Sequence, residues 1–142
     1  MNVTFEIKGY REVDDVMRQV QVGAVRITQE ELERAAEAVA TEARRLAPKR
    51  TGALRRSIRA HHQRRFPGLK LRELEAAAGT DMWYAHMVEW GTAPHKLRKG
   101  AQRPHPGARA KPFMRPAVDI VLPRLPGRLE SALGRFLMRL GL

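Results

Sequence analysis

The sequence of 142 residues contains no cysteine. Disulfides, thiolate metal sites and cysteine nucleophiles are therefore excluded. No stretch approaches the run of about 18 apolar residues that a membrane-spanning helix needs, so no membrane partner is expected. Met1 to Gly9 alternates in polarity and lacks the basic, apolar and small-residue order of a secretory signal. We therefore expect a soluble protein made in the cytoplasm.

Signatures of catalysis are missing as well. The sequence has no G-x-x-x-x-G-K-[ST] phosphate loop and no G-x-S-x-G nucleophile elbow, and its five histidines form no i, i+4 pair. Glu89 is the only acidic side chain between Met82 and Ala117, and Asp81 is the only other carboxylate nearby. General acid-base or metal-assisted chemistry usually needs two converging groups. We predict no enzymatic activity, no cofactor, no metal and no small-molecule substrate.

Positive charge is what the sequence has in excess. Lys and Arg number 27 against 15 Asp and Glu, for a net charge of +12. The distribution is uneven, since residues 1–43 hold 5 basic and 9 acidic side chains while residues 44–142 hold 22 and 6. The basic part attracts nucleic acid or acidic protein surfaces.

Hydrophobic periodicity predicts a strand and two helices before Pro48. They are a strand over residues 3–7, a short helix over residues 11–22 closed by Gly23, and a longer helix from a capping box at Thr28 and Glu31 to Leu46. Residues 57–62 look extended, and the Phe66-Pro67-Gly68 turn makes a hairpin plausible. Residues 69–78 fit either a helix or a strand, and residues 83–90 fit either a short buried helix or a buried strand.

The second half is predicted to hold a long basic loop and a closing helix. Residues 93–112 contain four prolines, two glycines, six Lys or Arg residues and no acid. Loops of that length without secondary structure are usually functional or disordered. We expect this loop to be mobile in the isolated subunit and ordered, at least partly, by a neighbouring molecule. A helical turn or two follows, broken by Pro123 and Pro126, before a C-terminal helix at about residues 126–140. We expect the whole chain, residues 1–142, to form a single domain.

Three clusters stand out in order along the chain. They are Ala47-Pro-Lys-Arg-Thr-Gly-Ala-Leu-Arg-Arg-Ser-Ile58, Tyr84-Ala-His-Met-Val-Glu-Trp-Gly-Thr92 and Lys111-Pro-Phe-Met-Arg-Pro-Ala117. Together they resemble the gene-product-ten-like family of neck and tail-completion proteins of long-tailed bacteriophages, over about residues 2–122. That resemblance implies an α+β fold in which a long amphipathic helix packs on a small antiparallel sheet, with a C-terminal helix and a long basic loop.

The resemblance also implies a function. The protein would be a structural virion component that joins head to tail, as part of a homo-oligomeric ring around the DNA channel. It would contact neighbouring neck proteins on the connector and tail sides. It would reside in the virion neck or tail, and in the host cytoplasm before assembly. The basic loop would touch packaged DNA without sequence preference, or an acidic neighbour.

The residues singled out fall into two sets. The assembly and structural set comprises Arg50, Thr51, Gly52, Leu54, Arg55, Ser57, Ile58, Tyr84, Glu89, Gly91, Thr92, Pro112, Phe113, Arg115 and Pro116. The set with potential contacts to DNA or an acidic partner comprises Arg98, Lys99, Arg103, Arg109 and Lys111. Both Gly52 and Gly91 end an element where a turn must begin, so we expect positive φ there. Glu89, in basic surroundings, is expected to pair with an arginine.

Two other functions stay open at this point. A free, non-specific nucleic-acid-binding module would also suit the basic part, although no helix-turn-helix, zinc-finger or RNA-recognition signature occurs. A nuclease would need a carboxylate cluster, which the basic part lacks. Trp83 and Trp90 could stack on bases. We expect instead that Trp83 shares a core with Val88, Phe113 and the long helix.

Overall fold

A computed structural model describes residues 10–62, 75–96 and 104–142. Its first element, α1 (Tyr10–Leu46), is one helix of 37 residues. The predicted break at Gly23 and the capping box at Thr28 are therefore wrong. Gly23 is buried inside the helix because the ring of Phe136 packs where a Cβ atom would stand. The predicted strand over residues 3–7 lies outside the described residues.

The end of α1 leads through a tight turn into the sheet. Gly52 has φ 73°, the left-handed region that favours glycine. A one-turn helix, α2 (Ala53–Ser57), follows it and runs directly into β1 (Ile58–His62). The predicted extended segment is thus confirmed from Ile58 onward.

The sheet has two antiparallel strands among the described residues. β1 pairs with β2 (Ala76–Thr80), with Ile58 opposite Thr80 and His62 opposite Ala76. The predicted hairpin is therefore confirmed in its two strands. The ambiguity over residues 69–78 ends in favour of a strand from Ala76, because pairing with β1 outweighs the helical preference of alanine. Residues 69–74, and the predicted turn at residues 66–68, lie outside the described residues.

The remaining elements are helical. They are α3 (Ala85–Trp90), α4 (Met114–Val121), a 3₁₀ turn (Leu122–Arg124) and α5 (Leu125–Arg139). Pro123 and Pro126 lie in the first turn of the 3₁₀ segment and of α5, where a missing N–H costs no hydrogen bond. The predicted closing helix is confirmed within one residue at each end. The fold is α+β and mostly helical.

The core forms where the C-terminal half of α1 meets the sheet and α4. Its fully buried large side chains are Phe113 and Ile58, and they pack against alanines of α1 and α4, namely Ala40, Ala43 and Ala117. Alanine lets neighbouring backbones approach closely, so the two large side chains fill the space between elements. α5 packs along α1 farther toward its N-terminus, where Arg128 pairs with the buried Glu31 at 2.9 Å.

Candidate assembly surface

Glu89 joins α3 to the start of α4. Its carboxylate accepts hydrogen bonds from the backbone N–H groups of Phe113 (2.8 Å), Met114 (3.0 Å) and Arg115 (2.9 Å). These are donors at the N-terminus of α4, which has no side-chain cap of its own. Glu89 therefore acts as a cap supplied from a distant part of the chain and fixes the Pro-Phe cluster against α3.

The environment of Glu89 keeps it ionised. Burial by itself would raise its pKa, but the three backbone N–H donors and the nearby Arg115 guanidinium outweigh burial and lower the pKa below its ordinary value. The positive end of the helix dipole acts in the same direction. The expected arginine ion pair is corrected: the direct partners of Glu89 are backbone N–H groups.

The basic loop begins and ends as a paired ribbon. Thr92 exchanges two backbone hydrogen bonds with Ala108, and His95 exchanges two with His105. In its described parts, residues 93–96 and 104–112, the predicted loop therefore contains no helix or strand, but its two limbs are joined by these isolated bridges. Backbone hydrogen bonds explain this, because they do not depend on burying apolar side chains. Arg98, Lys99 and Arg103 lie outside the described residues.

Gly91 permits this close pairing. It adopts φ 75° and ψ −176°, a combination that is essentially restricted to glycine. A Cβ atom at this position would lie 2.6 Å from the carbonyl oxygen of Ala108 and 2.8 Å from the nitrogen of Ala110. The positive φ predicted at both Gly52 and Gly91 is confirmed.

The Arg55 and Ser57 side chains act inside the subunit. The Nε of Arg55 donates to the Arg44 carbonyl at 2.6 Å, which satisfies an acceptor at the C-terminal end of α1. The hydroxyl of Ser57, the last residue of α2, lies 2.8 Å from the Leu54 carbonyl and 2.5 Å from the hydroxyl of Thr80 at the end of β2. These two side chains are therefore committed to the turn and the sheet.

The other members of the predicted assembly set divide between core and surface. Leu54, Ile58 and Phe113 are buried. Tyr84, Thr92 and Pro116 are half-buried, whereas Arg50, Thr51, Pro112 and Arg115 are exposed. Sequence motifs thus mixed residues that build the core with residues that a partner could reach.

A groove of about 780 Å³ is bounded by three segments. They are the turn that follows α1, the segment that includes the start of α3, and the limb of the ribbon from His105 to Lys111, which we call the returning limb. Its lining residues are Pro48, Arg50, Thr51, Gly52, Leu54, Trp83, Tyr84, Met87, Val88, His105, Ala108, Arg109 and Lys111. None of them is acidic, while Arg50, Arg109 and Lys111 are exposed cations. The groove therefore combines an apolar floor with a positive rim.

Trp83 stands at this groove rather than in the core. Its side chain is 74% exposed and its ring meets the ring of Tyr84 edge-on, with centroids 5.7 Å apart. The predicted burial of Trp83 is therefore wrong, and so is that of Trp90, which is 69% exposed. Ala85 and Glu89 of α3 are buried, and Tyr84 and Val88 pack against the core, so the predicted core position of Val88 is confirmed. The rings of Trp83 and Trp90 are left for solvent or a partner.

Across residues 10–62, 75–96 and 104–142, no three His, Asp or Glu side chains come together as metal ligands do. Within the same ranges, no helix has the length and apolar character needed to cross a membrane.

Comparison with known proteins identifies the family. The family model described as "Bacteriophage HK97-gp10, putative tail-component" matches residues 11–91, more than half of the chain. The chain belongs to this family of bacteriophage tail components. The match spans α1 to the end of α3, so the Pro-Phe cluster at residues 111–117 lies beyond it. No curated protein and no solved structure matches the chain significantly.

Proposed function

We propose that the protein is a structural component of the virion that joins head to tail, and that it does so as a ring of identical subunits around the DNA channel. Family membership supports the tail-component part of this proposal. The observation that carries the rest is the groove, whose exposed Trp83 and Met87 lie beside three cations. Exposed aromatic and methionine side chains in a concave, charged surface are typical of assembly interfaces.

The absence of catalytic activity is also part of the proposal. The carboxylate of Glu89 is buried, and both of its oxygens accept hydrogen bonds from backbone N–H groups at the start of α4. A group held in this way supports the fold and does not face the groove. We therefore propose a protein without enzymatic activity or a cofactor, which acts through its contacts with other virion proteins.

The basic ribbon is proposed to meet one of those partners. Arg109 and Lys111 on its returning limb are exposed at the groove, and Arg98, Lys99 and Arg103 belong to the same segment of sequence. Either an acidic surface of an adjoining ring or DNA phosphates would supply the counter-charge. Reversing Arg98, Lys99 and Arg103 to Glu should leave the circular dichroism melt unchanged but lower the yield of joined, infectious particles. Unchanged infectivity at low and high salt would contradict this role.

The direct test of the proposed function uses purified particles. A phage or prophage lacking this gene should produce separate DNA-filled heads and tails, and supplying the protein should restore joined particles. Antibody labelling of restored particles should mark the junction. Labelling along the whole tail tube, or normal joining without the protein, would refute the proposed location.

Non-specific nucleic-acid binding is the second candidate. The exposed Trp83 near Arg50 and Arg109 favours it, because aromatic stacking beside cations is how single strands are held. A gel-shift with single- and double-stranded DNA at physiological salt separates the two proposals. Tight binding by the free subunit, lost in Trp83→Ala but kept in Trp90→Ala, would favour the nucleic-acid module. Metal-dependent cleavage of plasmid DNA would favour a nuclease instead.

A further inference from the structure

The fold leaves a second apolar surface uncovered, at the opposite end of the molecule from the groove. Val13, Val16 and Met17 recur at helical spacing on α1 and are 62%, 37% and 61% exposed. We call these three residues the α1 stripe. Phe136 and Leu140 of α5 line a pocket with residues of α1 from Arg18 to Arg26, and the three stripe residues do not line it. Three valine and methionine side chains in water are an unusual use of one helix face.

The stripe and the groove differ in charge. Glu12 and Asp14 flank the stripe on its two sides, and Asp14 forms an i, i+4 ion pair with Arg18. At 100° per residue, Arg11 and Asp15 lie on the opposite side of the helix. The groove has cations and no acid. A surface that is apolar and acidic therefore exists on the same chain as a surface that is apolar and basic, and the two are complementary.

One subunit cannot bring these two surfaces together by itself. The stripe lies in the first turns of α1 and the groove starts at Pro48, just after the helix ends. At a rise of 1.5 Å per residue, the straight helix between them keeps the two surfaces about 45–50 Å apart. An α1 stripe that occupies the groove must therefore belong to another copy of the chain.

We propose that the α1 stripe of one subunit docks in the groove of the next. Val13, Val16 and Met17 pack against the exposed Trp83 and Met87 and the half-buried Val88 of the neighbour, as an amphipathic helix laid into an apolar groove. Glu12 and Asp14, on the two flanks of the stripe, then lie near the exposed cations of the groove, Arg50, Arg109 and Lys111. This rests on the proposed self-assembly and names the contact that produces it.

The contact has a consequence for symmetry. It joins two different surfaces of the same protein, so each subunit uses its stripe for one neighbour and its groove for another. A heterologous contact of this kind generates a ring when the rotation closes. Two copies that exchanged stripes reciprocally would instead stop at a dimer.

The absence of cysteine from the native chain makes a direct test simple. Full-length Met17→Cys and Met87→Cys variants are purified separately, mixed and oxidised. The mixture should give a disulfide-linked dimer, and neither variant alone should cross-link to a comparable extent. The matched control replaces Met87→Cys by Trp90→Cys, which places the thiol on the same helix but outside the groove lining. Equal cross-linking with Trp90→Cys, or none with Met87→Cys, would overturn the proposal.

A complementation experiment provides an independent test. Sedimentation should show that the parent self-associates and that Trp83→Glu weakens association by at least about tenfold, because buried tryptophans dominate interface energies. Val13→Lys with Met17→Lys should weaken it comparably. Mixing these two variants should restore one intact stripe-groove contact and give a one-to-one heterodimer. Trp90→Glu and Met138→Lys, which change exposed apolar residues elsewhere, should associate like the parent.

The outcomes distinguish this proposal from the function above. A parent that stays monomeric, assembly that requires added DNA, or variants that assemble like the parent would each overturn the stripe-groove contact. Particles that nevertheless carry the protein at the head-tail junction would leave the proposed function standing. Conversely, a specific disulfide between the Met17→Cys and Met87→Cys variants, in a protein that is absent from particles, would support the contact and refute the proposed location.

Discussion

The two ends of α1 follow the same helical periodicity but have opposite environments. From Ala35 to Ala47 the apolar face is buried against the sheet and α4, whereas from Val13 to Met17 it is exposed. The buried end uses alanine, which suits close packing, and the exposed end uses valine and methionine. The comparison shows that an amphipathic pattern identifies the face of a helix that packs against another surface. It does not show whether that surface belongs to the same subunit.

If this contrast is correct, the largest stability effects belong to the buried end. Phe113→Ala should lower the free energy of unfolding by about 3–5 kcal/mol, because the side chain is 1% exposed and its removal leaves a cavity. Chemical denaturation at neutral pH measures this. Trp90→Ala, the truncation of a large but exposed ring, should cost less than about 0.5 kcal/mol. A similarly small loss for Phe113→Ala would place that side chain at an interface instead of in the core.

Gly91 should be next in size. Gly91→Val should cost about 3 kcal/mol, because its backbone angles are restricted to glycine and the new Cβ would overlap Ala108 and Ala110. Gly52→Val should cost less, since the nearest atom to a Cβ there is the mobile guanidinium of Arg56. Thermal melts of the pair rank the two positions. Equal melting temperatures would show that strain at Gly91 is relieved by movement of the ribbon.

Glu89→Gln should lower the free energy of unfolding by about 2 kcal/mol at neutral pH. A neutral amide would replace a carboxylate that accepts three backbone N–H hydrogen bonds at the positive, N-terminal end of α4. The matched control is Glu42→Gln, whose carboxylate pairs with the side chain of Arg45 near the surface. It should shift the melting temperature by less. Unfolding of both variants and the parent in guanidinium chloride gives the change in the free energy of unfolding for each substitution.

The pH dependence of the Glu89 effect follows from its lowered pKa. In the unfolded chain, Glu89 takes up a proton near the ordinary glutamate pKa of 4.5. In the folded protein its pKa is lower, so the carboxylate stays ionised to a lower pH. Its stabilisation is therefore complete above the unfolded-state pKa and is lost as the pH falls through the lower, folded-state pKa. The gap between parent and Glu89→Gln should narrow in acid. A gap that stays constant from neutral pH to well below 4.5 would show that the charge of Glu89 is irrelevant.

The buried end was largely predictable from the sequence. Regular periodicity located the long helix before Pro48, turn chemistry located Gly52, and the extended character of residues 57–62 located β1. Burial of Phe113 followed from its apolar character beside charged neighbours. These signals are local, so a single chain carries them without knowledge of distant contacts.

What could not be predicted depends on contacts distant in sequence. Gly23 reads as a helix end, yet Phe136 packs against it and the helix continues. Glu89 reads as a partner for arginine, yet it caps α4, because backbone N–H groups have no sequence signature. Trp83 reads as core because of its apolar neighbours, but it precedes α3, and the core contacts of this segment are made by Tyr84, Ala85 and Val88. At the candidate groove, composition indicated the cations but not the exposed ring that they surround.

The smallest expected effect on folding concerns the α1 stripe, and it sharpens the comparison most. Val13→Lys combined with Met17→Lys should change the free energy of unfolding of the monomer by less than about 0.5 kcal/mol, because both side chains are already in water. At the other end of the same helix, Ala43→Leu should cost about 1–3 kcal/mol, since the alanine is fully buried and has no room to grow. Denaturation at protein concentrations low enough to dissociate assemblies measures both. A large loss in the lysine variant would mean that the stripe packs within its own subunit, and the division of α1 into a folding end and an assembly end would then be wrong.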